Sequence, residues 1–352
     1  MHIEISDTQE MLRDSARDFF RGNPKLVSAE SRAAAWKQFA DLGWLGVAVP
    51  ETLGGVGGSL LDAGVLAAEM GRGGAFSGFA ETVAISYALA EHADELNDAG
   101  RALFADVIEG KVGLGFPMSL QAEDPLSHQA WGQAESKRLV FSSFAPKTLI
   151  ASLVDGRFVL ADGRDAQARE IATTARGDVR LLTTLTPGGL SPLADGVDGA
   201  RLWRRARLIY QCLAGMQLAG AGRTLVDVAI DYSRVRAQFG KLIGSFQAVQ
   251  HAIVDEFSAI DGAELALCRA LSAIAEPGGD ALAGPAAVAF AREAVWTALM
   301  KSYDVLGGVG FMEEHPISRF TRDILPVLAS LGTAETCESA VAQTVRKGCW
   351  LS

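Results

Sequence analysis

Apolar residues along this chain recur first at helical spacing, then at strand spacing, then at helical spacing again. Met11, Leu12, Ala16, Phe19 and Phe20 form a stripe behind Ser6-Asp7-Thr8-Gln9-Glu10, which has the composition of a capped helix start. Trp36, Phe39, Ala40 and Leu42 continue the theme and run into Gly43. Further helical patterns cover 60–72 and the stretches around 79–92 and 95–109. From 113 to 198 the pattern shortens. Apolar runs at Leu139–Phe141, Thr148–Val154, Phe158–Leu160 and Val179–Leu185 are separated by the turn signals Asp155-Gly156, Asp162-Gly163 and Gly177-Asp178. Long helical stripes then return over about 204–235, 245–275 and 285–306. The second reads Phe246, Val249, Ile253, Phe257, Ile260, Ala263, Leu267, Leu271 and Ile274, with Ser245 as its expected N-cap. The third reads Val288, Ala291, Val295, Ala298, Ser302 and Leu306. Pro277-Gly-Gly and Leu306-Gly-Gly are the breaks. The expected fold is α+β, mainly α: a helical domain over 1–112, a small β domain over 113–198 and an antiparallel helix bundle over 199–352.

Composition narrows the function classes. At 352 residues, 49% hydrophobic and 21% charged, the chain has an ordinary globular composition with room for large cores. A net charge of −10 argues against a nucleic-acid binder, which needs a basic face. Cys212, Cys268, Cys337 and Cys349 lack metal-ligand or disulfide-framework spacing, so a reduced, cytoplasmic setting is expected. The start of the chain does not read as a signal peptide, and no stretch reads as a membrane span. The histidines are scattered, and no Ser or Cys sits in a nucleophile motif.

Chemistry concentrates in three segments. Tyr232-x3-Arg236-x-Gln238-Phe239-Gly240-x2-Ile243-x2-Phe246-Gln247-x2-Gln250-His251 sets a guanidinium, an amide and an aromatic face beside a Gly-bounded turn. Such a group can hold a phosphate and stack a base, although spacing alone favours a solvated Arg and a core Phe at an ordinary helical hairpin. Leu306-Gly307-Gly308-Val309-Gly310-Phe311 lets a helix end approach something closely. Val49-Pro50-Glu51-Thr52-Leu53-Gly54-Gly55-Val56-Gly57-Gly58 suggests a phosphate cradle, but it lacks the preceding strand and the Lys-Ser/Thr of a P-loop. Arg204-Arg205-Ala206-Arg207 reads as a solvated helix start.

Taken together with Glu314-His-Pro-Ile-x-Arg319-x-x-Arg322-Asp323, these segments resemble the acyl-CoA dehydrogenase family. The resemblance implies that Arg236, Gln238 and Phe239 reach across a subunit interface to the pyrophosphate and adenosine of FAD. Gly307, Gly308 and Gly310 would pack on the adenosine. Asp304 stands where the family often has a Gln for that adenosine. The family's flavin-ring loop is replaced by Phe116-Pro-Met-Ser-Leu-Gln-Ala-Glu-Asp124, without its glycines, and its aromatic-Ile-Thr strand by Val140-Phe-Ser-Ser143.

Oxidising the α,β bond of an acyl thioester needs a base for the α-proton and a flavin for the β-hydride. The resemblance places that base at one of two positions, and this chain has Leu331 at one and Tyr210 at the other. Glu335, about one helical turn past Leu331, is an outside candidate. The implied protein is a base-lacking subunit of a heteromeric, FAD-dependent acyl-CoA dehydrogenase, in CoA-linked steroid or lipid catabolism. A homologous subunit would supply the acyl-CoA site, a heterotetramer would be the assembly, and an electron-transfer flavoprotein or similar protein would accept the electrons. Two alternatives stay open: a stand-alone flavoenzyme with a displaced base, and a flavin-free scaffold or regulatory subunit.

Overall fold

A computed structural model describes residues 5–23, 31–119, 138–141, 144–154, 156–162, 167–174, 177–184, 190–192 and 197–346. Residues 120–124 of the replaced loop, Ser142, Ser143, Gly163, Leu185, Cys349 and the Arg319 side chain lie outside the described set.

Helices come first. The opening helix α1 (Asp7–Gly22) is closed by a capping box in which Ser6 and Gln9 satisfy each other's backbone N–H groups. Its expected stripe holds but for one residue: Ala16 and Phe20 are buried, Leu12 and Phe19 are half-buried against the core, and Met11 is 73% exposed. α2 (Arg32–Asp41) buries Trp36 and Phe39, and a left-handed Gly43 turns the chain back, leaving Leu42 exposed. α3 (Leu60–Arg72), α4 (Phe79–Ala90) and α5 (Asp98–Ile108) complete this part.

Among the described residues the middle segment forms two four-stranded sheets. The strands are β1 (Val112–Gly115), β2 (Met118–Ser119), β3 (Arg138–Phe141), β4 (Lys147–Val154), β5 (Arg157–Asp162), β6 (Gln167–Thr174), β7 (Gly177–Thr184) and β8 (Leu190–Pro192). They pair in the orders β1-β4-β5-β8 and β2-β3-β7-β6. Gly156, at φ 75°, serves the β4–β5 turn as its position suggests. Gly177 and Asp178, expected in a turn, instead open β7 opposite Thr174 and Thr173. Thr82 on α4 ties this segment to the helices: its hydroxyl donates to Gly78 O at 2.8 Å and accepts from Leu114 N on β1 at 3.0 Å.

The rest is a helix bundle of α6 (Gly199–Val235), α7 (Gln247–Ala275), α8 (Ala283–Leu306), α9 (Pro316–Ser330) and α10 (Ala334–Arg346). Asp198 caps α6 by accepting from Ala200 N and Arg201 N at 3.0 and 3.2 Å. The predicted α8 stripe is buried in full. On α7 the stripe holds from Ile260 onward, but Phe246, Val249, Ile253 and Phe257 are half-buried or exposed. Ser245 does not cap α7: it lies in a 3₁₀ turn and its hydroxyl donates to Leu242 O at 2.7 Å. α3 crosses α6 so closely that two glycines face backbone, Gly71 against Gln217 O and Gly220 against Ala68 O. This crossing sets where α6 lies, and α6 carries both ends of the candidate site.

Candidate functional site

At its C-terminal end α6 stops at Arg236, whose backbone turns extended after its N–H donates to Tyr232 O at 3.0 Å. The chain then makes a minimal hairpin, β9 (Ala237–Gln238) against β10 (Lys241–Leu242), around Phe239 and Gly240. Both turn residues have positive φ, 52° and 79°, as a tight hairpin demands. Among the described residues Phe239 is the one non-Gly position with positive φ, and its ring is 94% exposed. A left-handed aromatic costs about 1–2 kcal/mol and leaves apolar surface in water, so neither feature stabilises this chain by itself. Arg236 is exposed and makes no ion pair among the described residues, whereas Arg234 pairs with Asp231 at 3.6 Å. Phe246 stands edge-on to Phe239 at 6.3 Å, with the Lys241 ammonium over it at 4.2 Å. Gln238 is exposed and its side-chain amide donates to Ala237 O.

The three glycines after α8 have three different reasons. Gly307 adopts φ 58° and ψ −141°, which only glycine takes comfortably. Gly310 is buried, and a Cβ there would lie 3.0 Å from the Tyr303 ring. Gly308 has open space around its Cβ direction. Phe311 is exposed and leans on Tyr303 with ring centroids 4.8 Å apart. Asp304 is exposed and accepts from Lys301 at 3.3 Å.

Near the other end of α6 the structure joins the two positions considered for a base. Tyr210 is 2% exposed and its hydroxyl lies 2.6 Å from Ser330 Oγ, next to the fully buried Leu331. The Ser330 hydroxyl donates to Val327 O at 2.7 Å, so the phenol of Tyr210 donates to Ser330. Arg207 is buried against these rings, 5.1 Å from Phe116 and 5.3 Å from Tyr210. Neither position offers a proton acceptor of carboxylate strength. Glu335 lies exposed in the first turn of α10. The solvated reading of Arg204–Arg207 holds for Arg204 alone: Arg205 pairs with Glu91 through two hydrogen bonds and also donates to Ile274 O. The difference is tertiary: Glu91 and the end of α7 hold Arg205, and the Phe116 and Tyr210 rings cover Arg207, on different sides of α6.

The Gly-rich loop is not a cradle. Its amides at 55, 56, 57 and 58 donate to Pro50, Gly46, Val49 and Val47 carbonyls, leaving none of the four for a phosphate. A feature the sequence did not announce is a cleft of about 930 Å³ between α1 and α7, floored by α3 and α6. Arg17 holds Glu69 there at 2.6 Å, Arg223 holds Asp261, and Glu264 sits between them with its carboxyl pushed up by burial. Among the described residues no helix is long and apolar enough to cross a membrane, and no cluster of metal-binding side chains occurs.

Comparison with known proteins agrees with this geometry. The family model for the acyl-CoA dehydrogenase C-terminal domain matches residues 206–345, and the N-terminal domain model matches 6–97. The acyl-CoA dehydrogenase FadE34 of Mycobacterium tuberculosis is 30% identical over 336 residues, 91% of this chain and 45% of that protein. The chain thus spans less than half the length of this relative. The solved structure of the "Tcur3481-Tcur3483 steroid ACAD" superposes with a TM-score of 0.82 at 22% identity, covering 98% of this chain and 99% of that one. The ChsE4-ChsE5 complex from Mycobacterium tuberculosis gives 0.81 at 20% identity, with 99% of each chain covered. At these identities the structural matches establish the fold.

Proposed function

Since the chain belongs to the acyl-CoA dehydrogenase family, we propose that it is the non-catalytic half of a heteromeric, FAD-dependent acyl-CoA dehydrogenase. One observation carries the reading: both base positions meet in the fold, and they hold a buried Leu and a Tyr that donates its proton to Ser330. Desaturation of an acyl thioester needs an acceptor for the α-proton at that place. Neither position offers one, and in this reading a partner of the same fold supplies it.

Arg236, Phe239 and Gly308 fit the other half of the task. A free guanidinium, an exposed aromatic face and an open glycine suit the pyrophosphate and adenosine of FAD, which when bound supplies the hydride acceptor. Arg236 would hold phosphate oxygens, Phe239 would cover the adenosine, and Gln238 would offer its amide. In this reading 1–112, 113–198 and 199–352 are the three domains, assembled into a heterotetramer whose half-sites are completed by the partner. Names of relatives support the class: one structural neighbour is a steroid enzyme and another a two-chain complex, which favours CoA-linked steroid or lipid catabolism. FadE34 has the length for a second unit of this size within one chain. Exposure of Glu335 speaks against a stand-alone enzyme with that residue as base.

The test is bound flavin per complex for Arg236→Ala beside the control Arg234→Ala. A charge-assisted hydrogen bond to phosphate is worth about 1.5–3 kcal/mol, so the first variant should weaken FAD binding about 10- to 100-fold and the second little. Equal flavin in both variants and wild type would remove this chain from the cofactor site. Dye reduction by an acyl-CoA with the purified chain alone would show that it needs no partner base.

A further inference from the structure

Along α7 the buried positions are 256, 260, 263, 267, 268, 270, 271 and 274, and the first of them is a glutamate. Glu256 is 8% exposed and lines a crevice between α6, α7 and α8 together with Val226, Ile253, Lys301, Ser302 and Val305. Its Oε2 accepts no hydrogen bond. The hydroxyl lining the crevice is already committed, because Ser302 donates to Leu225 O. The α6 residues at the crevice are apolar, Asp255 is the neighbouring charge on α7, and Lys301 is the charge on α8. Burial pushes the Glu256 carboxyl up, and the Lys301 ammonium opposes that shift. The hollow measures about 10 Å³, room for one water-sized group such as an ammonium.

Lys301 lines this hollow, yet its ammonium points outward to Asp304 at 3.3 Å. That pair is exposed and three residues apart on one helix, an arrangement that holds weakly. Moving the ammonium inward would desolvate it but would satisfy a buried carboxylate oxygen, a stronger, charge-assisted bond. Desolvation and the bond gained oppose one another, so the inward position competes with the weak outer pair.

We propose that Lys301 is a two-position residue, exchanging between Asp304 at the surface and Glu256 in the α7–α8 seam. Whatever takes Asp304, a donor from a partner subunit or from a ligand seated at this end of α8, sends Lys301 inward and ties α7 to α8. The segment Gly307–Phe311 begins just beyond, so events at that surface would be felt in the bundle seam. This device stands whether or not flavin binds, and its test uses the isolated chain.

Asp304→Asn removes the charge of the outer partner without changing its shape, leaving an amide oxygen that holds an ammonium more weakly. The Glu256 side-chain signal, followed by carbon NMR of glutamate-labelled protein and assigned with Glu256→Gln, should then titrate about one unit or more lower than in wild type. A crystal structure of the same variant should show the Lys301 ammonium within hydrogen-bond distance of Glu256 Oε2. Lys301→Met should abolish the shift in the Asp304→Asn background. An unchanged Glu256 midpoint, a shift that survives Lys301→Met, or a water in the hollow with Lys301 still in solvent would each overturn the proposal.

Discussion

Replacing Gly220 by Ala tests the packing that positions the whole site. In an open helix interior this change stabilises by about 1 kcal/mol, because Gly is the poorer helix former. At Gly220 the sign should reverse. A Cβ there would overlap the Ala68 carbonyl oxygen and lie 3.0 Å from Arg72 N, all of it backbone of α3 that cannot step aside. α3 and α6 would have to part by roughly 1 Å or more, and a gap of that size forfeits about half of the dispersion energy along the contact. Taking the upper end of the overpacking range, about 3 kcal/mol, against the propensity gain leaves a net loss of about 2 kcal/mol. Urea unfolding followed by circular dichroism should show a lower midpoint at unchanged slope. Gly71→Ala should behave the same way, since its Cβ meets the Gln217 carbonyl from the other side. Gly22→Ala, at the end of α1 with nothing within 4 Å, should be neutral or stabilising. If Gly220→Ala and Gly71→Ala were as stable as wild type, the close crossing would not be what sets α6. Because α6 carries Tyr210 and Arg236, both variants should also bind less flavin in the assembled complex than Gly22→Ala does.

Thr82→Val removes the acceptor for the buried Leu114 amide and should cost about 1–3 kcal/mol in the same assay, while Thr82→Ser should retain most of the stability. Burial pushes the Cys212 and Cys268 thiols up to about 12, so neither should react with a thiol reagent at pH 8 until the chain is unfolded. Glu264 has its carboxyl raised above the ordinary 4.5 by burial, so the folded state holds its proton longer than the unfolded state does. Its contribution to stability is therefore present below about pH 4.5 and is lost as pH rises through the raised value. Glu264→Gln should flatten that part of the stability profile, and an unchanged slope would show that the cleft does not desolvate the group.

Much of the fold was legible in the chain itself, for physical reasons that act locally. The α8 stripe, the Ser6 cap and the Gly156 turn each depend on a few consecutive residues and on a periodicity set by the backbone. Arg236 at a helix end and the three glycines after Leu306 were visible for the same reason. Tertiary structure decided what periodicity leaves open. Nothing local says that Tyr210 and Ser330, 120 residues apart, share a hydrogen bond, or that Arg205 and Arg207 are held while Arg204 is free to solvent. Phe257 and Glu256 follow one another on α7, and a stripe reading puts the Phe inside. The packing of α6 and α8 buries the carboxylate instead, because which face of a helix is covered depends on where its neighbours end. The positive φ of Phe239 is likewise a hairpin's demand, imposed once α6 and α7 fix how tightly the chain must reverse.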